Sequence, residues 1–552
     1  MHTLCGRNRR KTRHSPTAFF LSILLLILAA CSGSNSSTPT PGVSPAPASS
    51  QVLTFPNVGT QDVATMDPAQ GPDANSAVAV GMVYTGLVKF DKNLNVVPDQ
   101  ATWSISSDRK TYTFSLKQGI TFSDGTPVTA QSYVYTLTRA LLPETKSPIA
   151  TFFLGNIVGA NDLANGKTRT LTGVKALNDT TLQITLTQPT EYFLDIMANS
   201  IAFPLNSKLI KQYGNTDWAN HVAGNGVGTG PFMVKEWDHN VKMILVPNPH
   251  WYGGKTRLRE VDMLFVNDPS TAFKAYEAGE YDFVWNIGAQ DLQTAKGMPG
   301  YTNKSLLQTD LLFFDNTKPP FNNVAMRQAF AYAIDKQTLV TAVFKGGAIA
   351  APTIIPPGMP GYQANYPGLP YDKNKARQLL QSVYPDVSKV PSITFSYPNS
   401  QVSPLEAQVL QQMWQNALGI QVKLNAVELN AYNQETQSRP PIIQFGFTQW
   451  TADYPDPYDW LTLNLTTNAS NNDGLWSNTQ FDNTVKQAEQ TSGQERIQLY
   501  NKAEQIAITN VGWLPLDHEA MAAVIPTYVQ GVSLNNTGLY FGDWSGVYLL
   551  QH

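Results

Sequence analysis

The sequence has almost no cysteine. Two occur in 552 residues, Cys5 and Cys31, both near the N-terminus. The rest of the chain therefore has no disulfide and no thiolate metal site. It must be held together by burial of apolar side chains, which its length allows. Histidine is scarce too. Beyond the N-terminal segment only His221, His239, His250, His518 and His552 occur, none at i, i+4 from another, so a zinc site has little support. Positive charge is also in short supply. The first 30 residues hold five of the 38 basic side chains and no acid, leaving 33 basic against 41 acidic residues in the remainder. That sign argues against nucleic acid, because a phosphate backbone needs a net basic surface. The N-terminal apolar run also falls short of the roughly 20 residues needed to span a bilayer.

That run, Phe19 to Ala30, follows a basic stretch ending at Arg13. Its length suits the apolar region of a signal peptide. It ends in "LAAC", and small residues before a cysteine are similar to the lipobox of bacterial lipoproteins. The resemblance implies a signal peptide over 1–30, cleavage before Cys31 and lipid attachment to its sulfur. A Ser/Pro/Thr/Gly-rich stretch follows, without charge or large apolar residues, and reads as an extended tether over 31–50.

Strand and helix signals then alternate irregularly, as in a mixed α/β protein. Tyr112, Phe114 and Leu116 alternate with polar residues, and Ile120 and Phe122 resume an apolar face after Gln118-Gly119, predicting a hairpin. Thr129 can cap a helix with Tyr133, Leu137 and Leu141 on one face. A second hairpin is expected from Phe232 to Val246 around Asp238-His239-Asn240. Gly279 should stop a helix. The stretch from Val324 to Gly347 reads as two helices, with Val324, Ala331 and Ile334 apolar on the first and Asp335 capping the second. A helix ending at Gly419 should lead into a buried strand.

Two enzymatic patterns fail on inspection. Ser107 and Lys110 fit S-x-x-K, with "SDG" at Ser123, but no K-T-G follows and Ser107 lies where a polar turn is expected. Gly224, Gly226, Gly228 and Gly230 miss the register of a nucleotide loop and precede a strand, so no helix N-terminus would face a phosphate. No catalytic residue, metal or cofactor is expected.

The stretch "QWTADYPDPYDWL" carries Asp453, Asp456 and Asp459. Pro455 and Pro457 prevent one helix from running through all three. A helix starting at Pro457 puts Asp456 at its N-cap and Asp459 in its first turn, where the dipole favours a carboxylate. Asp453, between Trp450 and Tyr454, is left free to meet a ligand, and a cationic ammonium is its natural partner.

Taken together and in order, "VATMDPA", "VYTGLVKFD", "TYTFSLKQGITFSDGTPVTAQSYVYTLTR", "GTGPFMVKEW", "NPHWY", "PPFNNVAMRQAFAYAIDK", "YDKNKARQLL", "WQNALGIQVKL" and "WTADYPDPYDWL" resemble the family 5 extracellular solute-binding proteins, the peptide-binding components of ABC importers. The resemblance implies a two-lobed α/β fold with an added small subdomain. Lobe I would comprise 51–85, 196–308 and 527–552, the subdomain 86–195, and lobe II 309–526. It implies a ligand site between the lobes, with Asp453 holding a peptide ammonium and Trp450 beside it. Backbone groups near Gln449 and Thr451 would pair with the peptide by strand addition. Phe447 stands where some oligopeptide binders have an arginine for the peptide carboxylate, and Tyr454 flanks the anchor. Pro72, in the segment expected on the opposite wall, has no N–H to donate. The implied partners are a short peptide, ABC permease subunits and the membrane through the lipid on Cys31. The protein would be a monomer on the outer face of the cytoplasmic membrane. An oligosaccharide, glutathione, opine or nickel chelate remains an alternative solute, and an enzyme or sensor on the same fold an alternative role.

Overall fold

The computed structural model describes residues 44–400, 402–537 and 544–552. The apolar N-terminal run, Cys31 and most of the tether lie outside the described residues. Strand β1 (Val52–Val58) opens a first sheet, with Leu53 and Phe55 fully buried. The chain then leaves to build a second sheet from β2 (Ala101–Ile105), β3 (Thr111–Leu116), β4 (Val174–Asn178) and β5 (Thr181–Thr185). Its order is β2–β3–β5–β4, antiparallel throughout. Helix α1 (Ala130–Leu141) packs on it through Tyr133 and Leu137. The chain returns through β6 (Phe232–Asp238), β7 (Lys242–Pro247) and β8 (Glu260–Val266), completing the first sheet in the order β1–β8–β7–β6.

The third sheet takes β9 (Val284–Trp285), β10 (Tyr301–Phe314), β11 (Ala348–Ala350), β12 (Thr394–Pro398), β13 (Lys423–Val427), β14 (Phe445–Thr451) and β15 (Leu514–Val524). Its order is β9–β15–β10–β14–β12–β13, with β11 on β15. Helices α2 (Lys336–Phe344) and α3 (Ser403–Leu418) pack against its strands, and α4 (Gly493–Thr509) lies further along the chain. Each sheet has its own apolar core, marked by Phe55, Phe232 and Trp285 in the first, Phe114, Tyr133 and Ile184 in the second, and Phe314, Trp414 and Phe445 in the third.

Two long strands belong to two cores at once. In β15, Leu514 and Leu516 enter the third core and Ala522 to Val524 the first. Its partner β10 supplies Leu307 and Leu311 to Phe314 to the third core and packs Tyr301 on the first. Their pairing shifts register between Ser305 and Thr309 and again between Asp310 and Leu311.

Most expected elements form. Thr129 caps α1 in a capping box with Ser132, Asp335 caps α2 by accepting from the Thr338 N–H, and the hairpin β6–β7 turns through Asn240 at φ 64°. Three expectations are corrected. Ile120 and Phe122 are buried in the second core but form no strand pairing back on β3, whose two edges are already taken by β2 and β5. After Gly419, Ile420 and Val422 are buried in the third core, but the strand that follows, Lys423–Val427, is an edge strand with no buried residue rather than a buried one. Val324 is exposed at the first turn of its helix. Ser107 lies in the turn between β2 and β3. The glycine run is a packing device: a Cβ at Gly228 would sit 2.0 Å from the Val83 carbonyl oxygen, and one at Gly226 would sit 2.2 Å from the Asp124 nitrogen.

Two of the sequence motifs meet in a buried ion pair. Arg139 of α1 donates to Asp67 through both terminal nitrogens, at 3.0 and 2.6 Å, with both side chains 3% exposed. Removing one partner strands the other charge inside the protein. Asp67→Ala should therefore lower the urea midpoint, by an amount equivalent to about 3–5 kcal/mol. An unchanged midpoint would show that water reaches Arg139.

Candidate functional site

The site grows out of one strand edge. β14 pairs with β10 along its whole length, from Phe445↔Phe314 to Thr451↔Gln308. With β12 it pairs only at Phe445 and Gly446. In an antiparallel ladder successive residues point their N–H and C=O alternately toward and away from the partner strand. The Ala452 N–H bonds the Leu307 carbonyl at 2.8 Å, which makes Thr451–Gln308 a non-hydrogen-bonded pair. The backbone groups of Thr451 and Gln449 therefore face away from β10, toward an edge that no described strand occupies. Phe447, in the same phase, has its carbonyl on that side too, where the Tyr432 hydroxyl donates to it at 2.6 Å.

The side chains divide by the same alternation. Gln449 and Thr451 are exposed on one face, where Gln449 Nε2 donates to Asp310 Oδ1 at 3.0 Å and Thr451 Oγ1 to Gln308 Oε1 at 3.0 Å. Trp450 is half-buried on the other face. Phe447 is buried against Phe395, ring centroids 4.9 Å apart, and belongs to the third core.

Beyond β14 the three aspartates take three different positions. Asp456 accepts the Tyr458 N–H at 2.8 Å and both terminal nitrogens of Arg496 on α4, each at 2.7 Å. It thus braces the turn, as a capping residue would, and is also neutralised by a buried guanidinium. The turn that follows, Tyr458–Thr462, is π-helical and continues into Leu463–Leu465.

Asp459 does not point along the dipole of that turn. It is fully buried and folds back, its Oδ2 accepting from Trp450 Nε1 at 3.2 Å and from the Asp453 N–H at 3.1 Å. Its Oδ1 has no hydrogen-bond partner among the described residues. Asp453 is half-buried, and its carboxyl interacts with that of Asp459. Burial pushes Asp453 up to about 6. Burial, then the charge of Asp453, pushes Asp459 well above the usual carboxylate range. Asp453 is thus one member of a carboxyl pair that holds protons more tightly than an exposed acid.

Tyr454 turns away from the carboxyl pair. It is buried in the second core, stacked on Tyr192 at 4.8 Å, while Tyr458 meets the same ring at 4.6 Å. The loop is thereby tied to the module that carries β2–β5. Across the chain, Asp73 caps the helix Ala74–Val83 by accepting from the Ser76 N–H at 2.7 Å, fixing the segment that holds Pro72. Among the described residues no three His, Cys, Asp or Glu side chains are placed to hold a metal ion, and no helix is long and apolar enough to cross a membrane.

Sequence reading missed Asp459 as the neighbour of Asp453. The i, i+6 spacing gave no sign of it, because a non-repeating turn brings the two together. It missed Asp310 and Gln308 as well, because only the strand register places them beside Gln449 and Thr451.

A family model described as bacterial extracellular solute-binding proteins, family 5 Middle, matches residues 95–472. The chain belongs to family 5 of the bacterial extracellular solute-binding proteins. It is 29% identical over 537 residues to the oligopeptide-binding protein OppA of Bacillus subtilis, covering 94% of this chain and 97% of that one. It is 30% identical over 500 residues to the probable deoxycholate-binding periplasmic protein YgiS of Escherichia coli, covering 89% and 92%. Among solved structures, the periplasmic murein tripeptide binding protein MppA in its unliganded open form superposes with a TM-score of 0.79 at 27% identity, over 93% of this chain and 99% of that one. Listeria monocytogenes OppA bound to peptide gives 0.71 at 26%, over 91% and 99%. The family 5 chain thus has the two-lobed fold of these binding proteins, and its family is one of solute-binding receptors.

The carboxyl pair gives the free protein a pH signature. Both acids have folded-state pKa values above their unfolded ones. The folded state therefore binds more protons than the unfolded state between about pH 4 and 7, and stability falls as pH rises through that window. Asp459→Asn keeps an acceptor for Trp450 but removes one charge. The melting temperature of the wild type should fall relative to that of the variant between pH 4 and 7. Parallel curves would show that the Asp459 carboxyl is not raised in the folded state by burial or by Asp453.

Proposed function

We propose that this chain is the lipid-anchored receptor of an ABC importer. It captures short peptides outside the cell and delivers them to permease subunits. The observation that carries the reading is the open edge of β14: backbone groups of Gln449 and Thr451 available for an added strand, ending at the carboxyl pair of Asp453 and Asp459. A peptide extended along that edge forms main-chain hydrogen bonds that do not depend on its sequence. Its ammonium meets Asp453, whose orientation Asp459 and Trp450 hold. The cation displaces the proton held by the pair, so the ligand is read by charge as well as by hydrogen bonds. Relatives named for oligopeptide, dipeptide and murein peptide binding support this reading.

In this reading lobe I is 51–85 with 196–308 and 527–552, lobe II is 309–526, and 86–195 is the extra subdomain. Closure occurs about β10 and β15 at their irregular register, and a monomer suffices. Cys31 carries the lipid, and the tether after it sets the receptor on the outer face of the cytoplasmic membrane. The relative named for deoxycholate makes a non-peptide solute the reading to be tested against.

Mass spectrometry of solute co-purified with the folded protein should find short peptides; a bile acid, sugar or metal chelate would overturn the reading. By calorimetry, Asp453→Ala should weaken a free tripeptide by about 3–5 kcal/mol. Acetylating the peptide amine should do the same to the wild type. A variant that binds within a few-fold of wild type would remove Asp453 from the anchor role.

A further inference from the structure

Past the last apolar residues of the third core, the same sheet face becomes acidic. Gln449 on β14, Asp310 on β10 and Asp517 on β15 are register partners across three adjacent strands, so their side chains share one face. Beside them Thr451 donates to Gln308, and Gln308 Nε2 donates to Glu519. Glu406, from the first turn of α3, is buried close enough to Asp310 for their charges to interact. Lys336, the first residue of α2, faces Asp517 and donates to the Ala351 carbonyl at 2.8 Å. His518 belongs to the opposite face, with its Nδ1 2.9 Å from Thr309 Oγ1. Four carboxyls therefore meet one lysine.

The floor of this ledge lacks donors. Asp517 is fully buried, and neither of its carboxyl oxygens has a hydrogen-bond partner among the described residues; Oε1 of Glu406 has none either. Buried acceptors are normally satisfied, so a group left in this state marks a place where a donor is missing. Asp310 and Glu519, unlike Asp517, keep a minority of their surface exposed and are the acids of the ledge that reach solvent. Burial pushes Asp310 up to about 6 and Glu519 up to about 7, the latter helped by the charge of Asp310. The missing partner is thus a cation that brings N–H donors.

We infer that this acidic ledge is the subsite for a cationic side chain, an ammonium or guanidinium, on the third or fourth residue of the bound peptide. The inference rests on the peptide reading above. A strand rises about 3.3 Å per residue, so Gln449 lies about 7 Å before the end of β14 at Thr451, beyond which the chain turns to Asp453. A peptide whose ammonium meets Asp453 therefore brings its third or fourth side chain beside Gln449. Strands lie about 4.8 Å apart, so Asp310 is two strand spacings from the added chain. The long stems of lysine and arginine suit that gap, carrying the charge across Gln449 while their methylenes lie over the sheet.

Calorimetry on the intact chain tests this with three sets of tetrapeptides: tetra-alanine, and its variants with lysine or norleucine at position three or four. Lysine should bind roughly ten-fold or more tightly than norleucine at one of these positions, the scale of a charge-assisted hydrogen bond. Asp310→Asn and Glu519→Gln should each bring that ratio toward one; if one variant fails to fold, the other carries the test. Equal affinity for lysine and norleucine peptides in the wild type would overturn the inference, as would a ratio unchanged in both variants. Tight binding of tetra-alanine with no preference for charge would overturn the ledge alone. Failure of every peptide to bind would overturn the peptide reading and the ledge with it.

Discussion

The antiparallel register of β14 on β10 is the constraint on which the rest of the site depends. A shift of one residue would turn Gln449 and Thr451 to the opposite face and point their backbone groups into the sheet. It would also separate Gln449 from Asp310 and Thr451 from Gln308. The register is held by the apolar half of the strand, where Phe445 lies opposite Phe314, their rings stacked 5.5 Å apart in the third core. The same face is thus apolar where it must hold the fold and polar where it emerges, and one alternation serves both ends.

The loop after β14 shows how charge is handled where burial is unavoidable. Asp456 is matched by Arg496 in a bidentate pair, which brings the loop onto α4. Asp459 has no cationic partner among the described residues and is kept in place by two N–H donors, with burial raising its pKa. Asp453 lies between solvent and this second acid. Tyr454 and Tyr458 then fasten the loop to the second core through Tyr192. Asp453 therefore sits on a loop where the second and third cores meet, so that movement of one core against the other would act directly on that loop.

Much of the fold was legible because it is local. Caps such as Thr129 and Asp335, the turn at Asn240 and the amphipathic face of α1 depend on residues within a few positions of each other, and they form as expected. The misses are failures of pairing. Ile120 and Phe122 have the alternation of a strand, but β3 has no free edge for them. The strand after Gly419 reads as apolar yet lies at the margin of its sheet. The site followed the same rule. The prolines do keep one regular helix from running through Asp453, Asp456 and Asp459, because proline geometry is intrinsic to the chain, but Asp453 is not the free acid expected, since Asp459 lies against it. That Asp459 turns back onto Asp453 depends on a π-helical turn, which no spacing announces.

By itself the sequence determined the chemistry available: a chain that folds without disulfides, an N-terminal segment of signal-peptide length, one acid uncommitted by helix or proline, and an ordered set of motifs that identify the family. Only the tertiary structure decided which groups meet. Asp67 finds Arg139, Asp456 finds Arg496, and Asp310 finds Gln449 and Asp517 across strands that are distant in sequence. The reason is physical. Propensity and capping act over one turn of chain, whereas strand register is set by burying a whole face at once, and it is register that gives this protein its open edge and its acids their neighbours.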